Sequence, residues 1–280
     1  MEKRLNIMVP MDFTPVSFKA LEMLAFLMEK TPVNTHLVHV IQVNAAEWAG
    51  TTDSSETIDR GQIKEFEQQA IAGFEEIRKQ VNFDFTSAVV YGGLTTSLTR
   101  YAEQNGIDLI IMGTEGAEGW FERISGSEAQ HVVRFTRVPI ITIQKDASIT
   151  PIKNLLWVAD FSAEKQPEQT VNTIKTLQQL FGAQLHLLQI IEKEDDPKLD
   201  SIIQQMQRFA TNLKLQNYEL HFKSDSKVPA GVRNFNQESE MDLVVIGTHA
   251  RKGFSQIFYG SIAETLVNHC IRPLLTYHLK

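Results

Sequence analysis

The chain has 280 residues but only one cysteine, Cys270, and no Cys-x-x-Cys pair. A single cysteine excludes an intrachain disulfide and a zinc site built from several thiolates. Clustered basic residues are also missing, since 27 Lys and Arg stand against 34 Asp and Glu, for a net charge of −7. Such a chain is a poor match for nucleic acid or for an anionic membrane surface, so we expect neither as a partner. The scarcity of cysteine fits a cytoplasmic location.

Long apolar runs are absent as well. No segment reaches the roughly 18 consecutive apolar residues that a membrane-spanning helix needs. The first residues, MEKRLNIMVPMDF, reach Asp12 too early to form a signal-peptide core, so we interpret them as a first strand. The sequence has no nucleophile elbow, no Walker loop and no carboxylate pair with a spacing that marks acid–base catalysis. These absences favour a protein that is not an enzyme.

The chain does contain two copies of one series of landmarks. An apolar run leads into Asp-Phe-Thr at Asp12 and another leads into Asp-Phe-Ser at Asp160. A later run, DLIIMGT, has the counterpart DLVVIGT in the second copy. The order of the landmarks is the same in both halves, which predicts a tandem duplication. We place one domain over residues 1–146 and the second over residues 151–280.

Within each copy, short apolar runs alternate with segments of helical periodicity. The runs show no alternation of apolar and polar residues, which is typical of strands buried on both faces of a parallel sheet. We interpret the apolar stripes of the helices as core faces, and Gly182 as the C-terminal cap of one helix. The stripes are Ile63, Phe66, Ala70, Phe74 and Ile77; Val171, Ile174, Leu177 and Phe181; and Ile202, Met206, Phe209 and Leu213. The pattern predicts two tandem α/β domains, each a doubly wound parallel sheet that binds ligands beyond the carboxyl ends of its strands.

A glycine-rich segment follows one apolar run in each copy. The first reads Gly113-x-x-Gly116, nine residues, Gly126-Ser127, and the second reads Gly247-x-x-Ala250, nine residues, Gly260-Ser261. Glycine lets the backbone approach a ligand closely, and the free N–H groups at a helix start favour an anion. Alternatively, the glycines form turns and the serines cap helices. The spacing alone leaves both interpretations open.

Together these landmarks resemble the universal stress protein family. Its nucleotide-binding members carry Gly-x-x-Gly-x9-Gly-[Ser/Thr] after the fourth strand and an Asp after the first, and the resemblance covers nearly the whole chain twice. It implies an adenine nucleotide alpha-hydrolase-like fold with strand order 3-2-1-4-5 in each domain. It also implies a role in the stress response, with ATP or AMP as the ligand. The family dimerises through its last strand, a contact that this chain would make internally as a pseudo-dimer, with a homodimer as a further assembly.

The resemblance assigns site residues by matched position. Asp12 would face the adenosine, with Asp160 as its counterpart, and the backbone of Val40 would border the adenine. The residues that would hold ribose and phosphates are Gly113, Gly116, Gly126 and Ser127 in the first half and Gly247, Gly260 and Ser261 in the second. An Asp at a strand-to-helix turn also caps the next helix, so capping and binding are both open for Asp12 and Asp160.

Each copy departs from the family pattern in one respect. Glu115, Glu118 and Glu122 lie in or beside the first glycine loop and would repel a phosphate unless a cation such as Mg²⁺ bridges them. In the second loop, Ala250 replaces a glycine although basic residues surround it. We expect an adenine nucleotide in at least one half, the first being the better candidate. The alternatives are a protein with decayed sites that acts through protein contacts, and a slow ATP hydrolase.

Overall fold

The computed structural model describes residues 4–43, 60–114, 132, 136–161, 166–191, 199–249 and 272–279. In these residues the first half contains β1 (Leu5–Pro10), α1 (Pro15–Met28), β2 (Val33–Ile41), α2 (Arg60–Gln80), β3 (Thr86–Tyr91), α3 (Leu94–Gln104), β4 (Leu109–Thr114) and β5 (Ile140–Gln144). The second half contains β6 (Asn154–Val158), α4 (Glu168–Phe181), β7 (Gln184–Ile191), α5 (Leu199–Asn212), β8 (Tyr218–Ser224), α6 (Val228–Ser239), β9 (Leu243–His249) and β10 (Leu274–Leu279). No helix in these ranges is long and apolar enough to cross a membrane.

All ten strands belong to one sheet, in the order β3-β2-β1-β4-β5-β10-β9-β6-β7-β8. Neighbouring strands within each half are parallel, and the order 3-2-1-4-5 occurs twice. β5 and β10 pair antiparallel, with Ile141 opposite Leu275, so the two halves join edge to edge within one chain. The predicted fold class is confirmed, and the last strands make the intrachain contact that the resemblance implied.

Apolar side chains cover both faces of this sheet. On one face, α1, α2, α4 and α5 share a single core that runs through both halves and includes Leu24, Phe74, Ile174 and Phe209. On the other face, α3 and α6 each cover a separate cluster, one in each half. Strands that are buried on both sides need apolar residues at consecutive positions, which explains the runs without alternation in the sequence.

The helical stripes mostly form core faces, as predicted. Gly182 ends α4 in the left-handed conformation, with a φ of 60°, as its predicted role as a cap requires. Phe66 is different, because 45% of its surface is exposed. The interpretation of the α2 stripe as entirely core-facing is therefore wrong at Phe66, which lies on the wall of an open pocket.

Candidate functional site

A pocket of about 490 Å³ opens between α2 and the carboxyl ends of β1 and β2. Pockets that bind small molecules usually have volumes of about 300–1,000 Å³, so this one is large enough for a ligand. The strand side contributes Asp12, Phe13, His39, Val40, Ile41 and Gln42, and the helix contributes Phe66, Gln69, Ala70 and Gly73. The structure thus brings together Asp12 and Val40, two residues that the sequence placed in one site.

Asp12 closes a short turn just before α1 and lines the pocket at the same time. Its Oδ1 accepts hydrogen bonds from the backbone N–H of Thr14, at 3.0 Å, and from the Thr14 hydroxyl, at 2.6 Å. Both bonds use one oxygen, whereas an ionised carboxylate offers about four acceptor sites. The side chain is also exposed. The turn therefore does not exhaust the capacity of Asp12 to accept hydrogen bonds from a ligand.

The residue after Asp12 holds an unusual backbone conformation. Phe13 has a φ of 61°, which is rare for a residue with a bulky side chain and costs about 1–3 kcal/mol. Its ring packs 5.3 Å from the ring of Phe74 and lies over Gly73. A Cβ at Gly73 would come within 2.5 Å of Phe13 Cε1, so glycine makes room for the ring there. Phe161, after Asp160, has a φ of 53°, so the second half repeats the strained turn.

His39 forms part of the pocket wall, although the sequence pointed to no role for it. Its Nδ1 donates to the carbonyl oxygen of Met11 at 2.7 Å, because a carbonyl can only accept. In the neutral ring, Nε2 then carries the lone pair and can accept a hydrogen bond. His36 lies on the opposite face of β2, with its Nδ1 3.0 Å from the hydroxyl of Tyr101. Two histidines three positions apart on a strand are expected to face opposite sides, as these do.

Gly113 has a structural reason to be glycine. A Cβ at this position would lie 1.9 Å from the carbonyl oxygen of Val16, so the first turn of α1 packs directly against the backbone of β4. Gly113 is not among the residues that line the pocket. In the second half, Gly247 lies in β9 opposite Tyr277 of β10. The other predicted loop residues, Gly116, Gly126, Ser127, Gly260 and Ser261, lie outside the described residues, as do Glu115, Glu118, Glu122 and Ala250.

The second half carries larger side chains around its corresponding strand end. The sequences QQA at 68–70 and QQM at 204–206 align α2 with α5. In this alignment Met206 corresponds to Ala70 and Phe209 corresponds to Gly73. Met206 is fully buried and Phe209 is 6% exposed. Asp160 is exposed, but its carbonyl oxygen accepts a hydrogen bond from Gln205 Nε2 at 3.0 Å. Ala70 is itself only 1% exposed, so the two halves differ at these positions in the size of the side chain and not in its burial.

Reasoning from the sequence missed the helix side of the pocket. Phe66, Ala70 and Gly73 fall on or beside a stripe with the same three-and-four spacing as a core face. Periodicity shows which residues share a face of a helix, but it does not show how far that face extends beyond the core. The one available signal was composition, because Ala70 and Gly73 are small where α5 has Met206 and Phe209.

Two five-stranded parallel halves of order 3-2-1-4-5 in one sheet, the first with a pocket and an Asp beyond its first strand, define a tandem α/β protein of the doubly wound class. The model of the universal stress protein family matches residues 3–144 and again residues 151–278. The chain therefore belongs to the universal stress protein family.

Individual relatives agree with this assignment. Universal stress protein MJ0531 of Methanocaldococcus jannaschii is 23% identical over 140 residues, which span 50% of this chain and 82% of that protein. The crystal structure of a universal stress protein from Archaeoglobus fulgidus has a TM-score of 0.73 at 18% identity, with 98% of each chain covered. The cytoplasmic domain of a prokaryotic cation chloride cotransporter has a TM-score of 0.53 at 11% identity, with 98% of this chain and 95% of that chain covered. At these identities the two structures show the shared fold alone.

Proposed function

We propose that the first half binds an adenine nucleotide, ATP or AMP, and that the chain is a stress-response regulatory protein of the cytoplasm. The observation that carries the proposal is the pocket of about 490 Å³, which is lined by both Asp12 and Val40. It lies at the carboxyl end of the strands, where doubly wound sheets bind their ligands. The family alone does not carry the proposal, because one fold serves many functions.

The walls of the pocket suit a flat aromatic base and a sugar. Phe66 offers apolar surface for a base, and the backbone of Val40 offers hydrogen-bonding groups at the edge of that base. Asp12 would accept hydrogen bonds from ribose hydroxyl groups, which bond more strongly to a carboxylate than to a neutral acceptor. His39 Nε2 would accept from a hydroxyl or amino group of the ligand. If the glycine loop contacts the phosphates as the family resemblance implies, Mg²⁺ would offset the charge of its glutamates.

A single substitution that fills the pocket tests the proposal. Ala70→Met introduces the residue that the second half carries at the aligned position, and it narrows the pocket without removing a polar group. We expect calorimetric titration with Mg-ATP and with AMP to show at least about tenfold weaker binding, a loss of about 1.4 kcal/mol. Ile71→Met is the matched control, because Ile71 lies next in the same helix, is 50% exposed and does not line the pocket. Equal affinity of the two variants would contradict a nucleotide in this pocket.

The second candidate is a protein that acts through protein contacts without a nucleotide. Phe66 of α2 is 45% exposed, so this large apolar side chain is open to a protein partner as well as to a ligand. The same titration separates the two candidates, because a folded sample that gives no heat at millimolar nucleotide leaves only the second. Phosphate release above a control without protein, lost in Asp12→Ala, would instead support slow ATP hydrolysis.

A further inference from the structure

We propose that His186, Glu219 and His221 form a binding site for a divalent transition-metal cation, with Zn²⁺ as the ion that fits best. The three side chains lie in the second half, on β7 and β8, near the amino ends of the strands. They are therefore at the opposite end of the strands from Asp160. The pocket of the first half lies at β1 and β2, and five strands separate β1 from β7 in the sheet. The site requires no nucleotide and is independent of the proposed function.

The strand register brings the three side chains together. His186 of β7 pairs directly with Glu219 of β8, and Leu188 pairs with His221. Residues two apart on a strand point to the same face, so Glu219 and His221 both project on the side of His186. The three potential ligand atoms are His186 Nδ1, His221 Nε2 and one Glu219 carboxylate oxygen, all within 4.8 Å of one another.

The distances between these atoms match the first coordination shell of zinc. His186 Nδ1 lies 2.9 Å from His221 Nε2, and Glu219 Oε2 lies 3.7 Å from the first nitrogen and 3.4 Å from the second. Tetrahedral zinc with bonds of 2.0–2.2 Å holds its ligand atoms about 3.3 Å apart. The two nitrogens would separate by a few tenths of an ångström, and the carboxylate would approach by a similar amount. No rearrangement of the backbone is needed to complete the triangle.

Surrounding groups hold the His186 imidazole in an orientation that suits a ligand. Asn154 Oδ1 lies 3.3 Å from His186 Nε2, and an amide oxygen can only accept, so Nε2 carries the proton and Nδ1 presents its lone pair to the cluster. In this arrangement Nδ1 accepts a hydrogen bond from His221 Nε2–H at 2.9 Å, and zinc would displace that proton. His221 packs against Phe235 of α6, with ring centroids 5.0 Å apart. A hydrogen bond to the outer nitrogen of a ligating histidine fixes its tautomer and is a recurrent feature of metal sites. Asn154 is therefore a positioning residue.

The chemistry of the cluster suits a metal ion. Two imidazoles and a carboxylate make a known zinc ligand set. The Glu219 side chain is 58% exposed, so a cation can enter from solvent and water can complete its coordination. Other divalent metals that bind imidazole would compete with zinc for this site. Their relative affinities would follow the general order for divalent transition metals.

The first half shows that the fold does not require this cluster. His36 occupies the position of His186, but the residues paired across to β3 are Thr86, opposite His36, and Ala88, opposite Val38. His36 contacts the hydroxyl of Tyr101 instead of a second histidine. A duplicated domain that lacks two of the three ligands provides an internal control for the one that has them.

The test compares the intact chain with a variant that copies the first half. The protein is treated with a chelator, dialysed and titrated with ZnSO₄ in a calorimeter. We expect one zinc per chain in the wild type. The double variant Glu219→Thr/His221→Ala should bind zinc at least about a hundredfold more weakly, because it lacks two ligands. Changes to residues that only support the ligands already lower metal affinity about 10–100-fold. Glu219→Gln alone should weaken binding at least about tenfold, and since Glu219 is exposed this variant should fold normally.

Two controls separate this site from unrelated histidines. His36→Gln removes the corresponding histidine of the first half and should leave zinc stoichiometry and affinity unchanged. In the wild type, long-range ¹H–¹⁵N spectra of the imidazoles should show zinc shifting His186 Nδ1 and His221 Nε2. Unchanged zinc affinity in both Glu219 variants, or no bound zinc in a folded wild-type protein, would overturn the proposal.

Discussion

The two halves of the chain share one fold but differ in where small and polar residues stand. In the first half, Ala70 and Gly73 border an open pocket beside Asp12. In the second half, Met206 and Phe209 are buried at the aligned positions. The second half instead gathers His186, Glu219 and His221 at the other end of its strands. Duplication preserved what the sheet requires, and the two copies diverged at residues that the sheet leaves unconstrained.

The largest effect on the free energy of unfolding is expected at Gly113. If helix packing requires this glycine, replacing it should lower stability, whereas if ligand approach requires it, replacing it should lower nucleotide affinity. Gly113→Ala should lower the free energy of unfolding by about 3 kcal/mol or more, because its Cβ would lie 1.9 Å from the Val16 carbonyl oxygen. Urea denaturation followed by circular dichroism measures the change. Gly182→Ala is the control, because Gly182 has a φ of +60° and no atom lies within 4 Å of the added Cβ. This substitution should lower the free energy of unfolding by only about 1 kcal/mol. A loss of nucleotide binding in Gly113→Ala at full stability would show that ligand approach, not packing, requires the glycine.

A smaller effect is expected from a polar contact in the core of the second half. The Trp157 indole N–H donates to the Tyr277 hydroxyl at 2.9 Å, and that hydroxyl donates to Gln166 Oε1 at 3.0 Å. Tyr277→Phe leaves the buried indole N–H without this acceptor, so we expect a loss of about 1–3 kcal/mol in the free energy of unfolding.

The matched change in the first half is Ile143→Val, because Ile143 occupies the position of Tyr277 in β5. It should cost about 0.5–1.5 kcal/mol, which is the usual result of removing one buried methyl group. Chemical denaturation of both variants gives the comparison. If Tyr277→Phe were as stable as the wild type, the hydrogen bonds of the second core would contribute nothing measurable to stability.

The smallest effect concerns the dependence of stability on pH. Burial lowers the pKa of His36 from its usual 6.5, so the unfolded chain binds this proton more readily than the folded chain does. The stabilisation that neutral His36 provides is complete above about pH 6.5 and is lost as the pH falls through the lower pKa of the folded state. His36→Gln should therefore lose less stability than the wild type between pH 7 and pH 5. If the free energies of unfolding of the wild type and of His36→Gln changed by the same amount over this range, a lowered pKa of His36 would be contradicted.

The sequence predicted the fold well because each of its signals is local. Apolar runs mark strands that are buried on both faces, the αL residue Gly182 marks the end of a helix, and the repeated landmarks mark the duplication. The pairing of β5 with β10 followed from the family resemblance. Long-range packing was harder to infer, because the close contact between Gly113 and Val16 joins residues almost a hundred positions apart.

The candidate site was only partly predictable for a similar reason. Asp12 and Val40 were assigned by matched position, and the structure places both in one pocket. Phe66 and Ala70 were missed because a stripe on a helix has the same spacing whether it faces a core or a cavity. The cluster of His186, Glu219 and His221 was missed because strand register brings these side chains together, which the spacing of single residues does not reveal.

The most direct test of the difference between the halves is a pair of calorimetric titrations with Mg-ATP and AMP, on Asp12→Ala and on Asp160→Ala. We expect the wild type to bind one nucleotide per chain and Asp12→Ala to bind about 10–100-fold more weakly, because it loses hydrogen bonds to a charged group. Asp160→Ala should bind like the wild type, with thermal unfolding used to show that both variants remain folded. Equal weakening in the two variants, or weakening in Asp160→Ala alone, would contradict a nucleotide site in the first half.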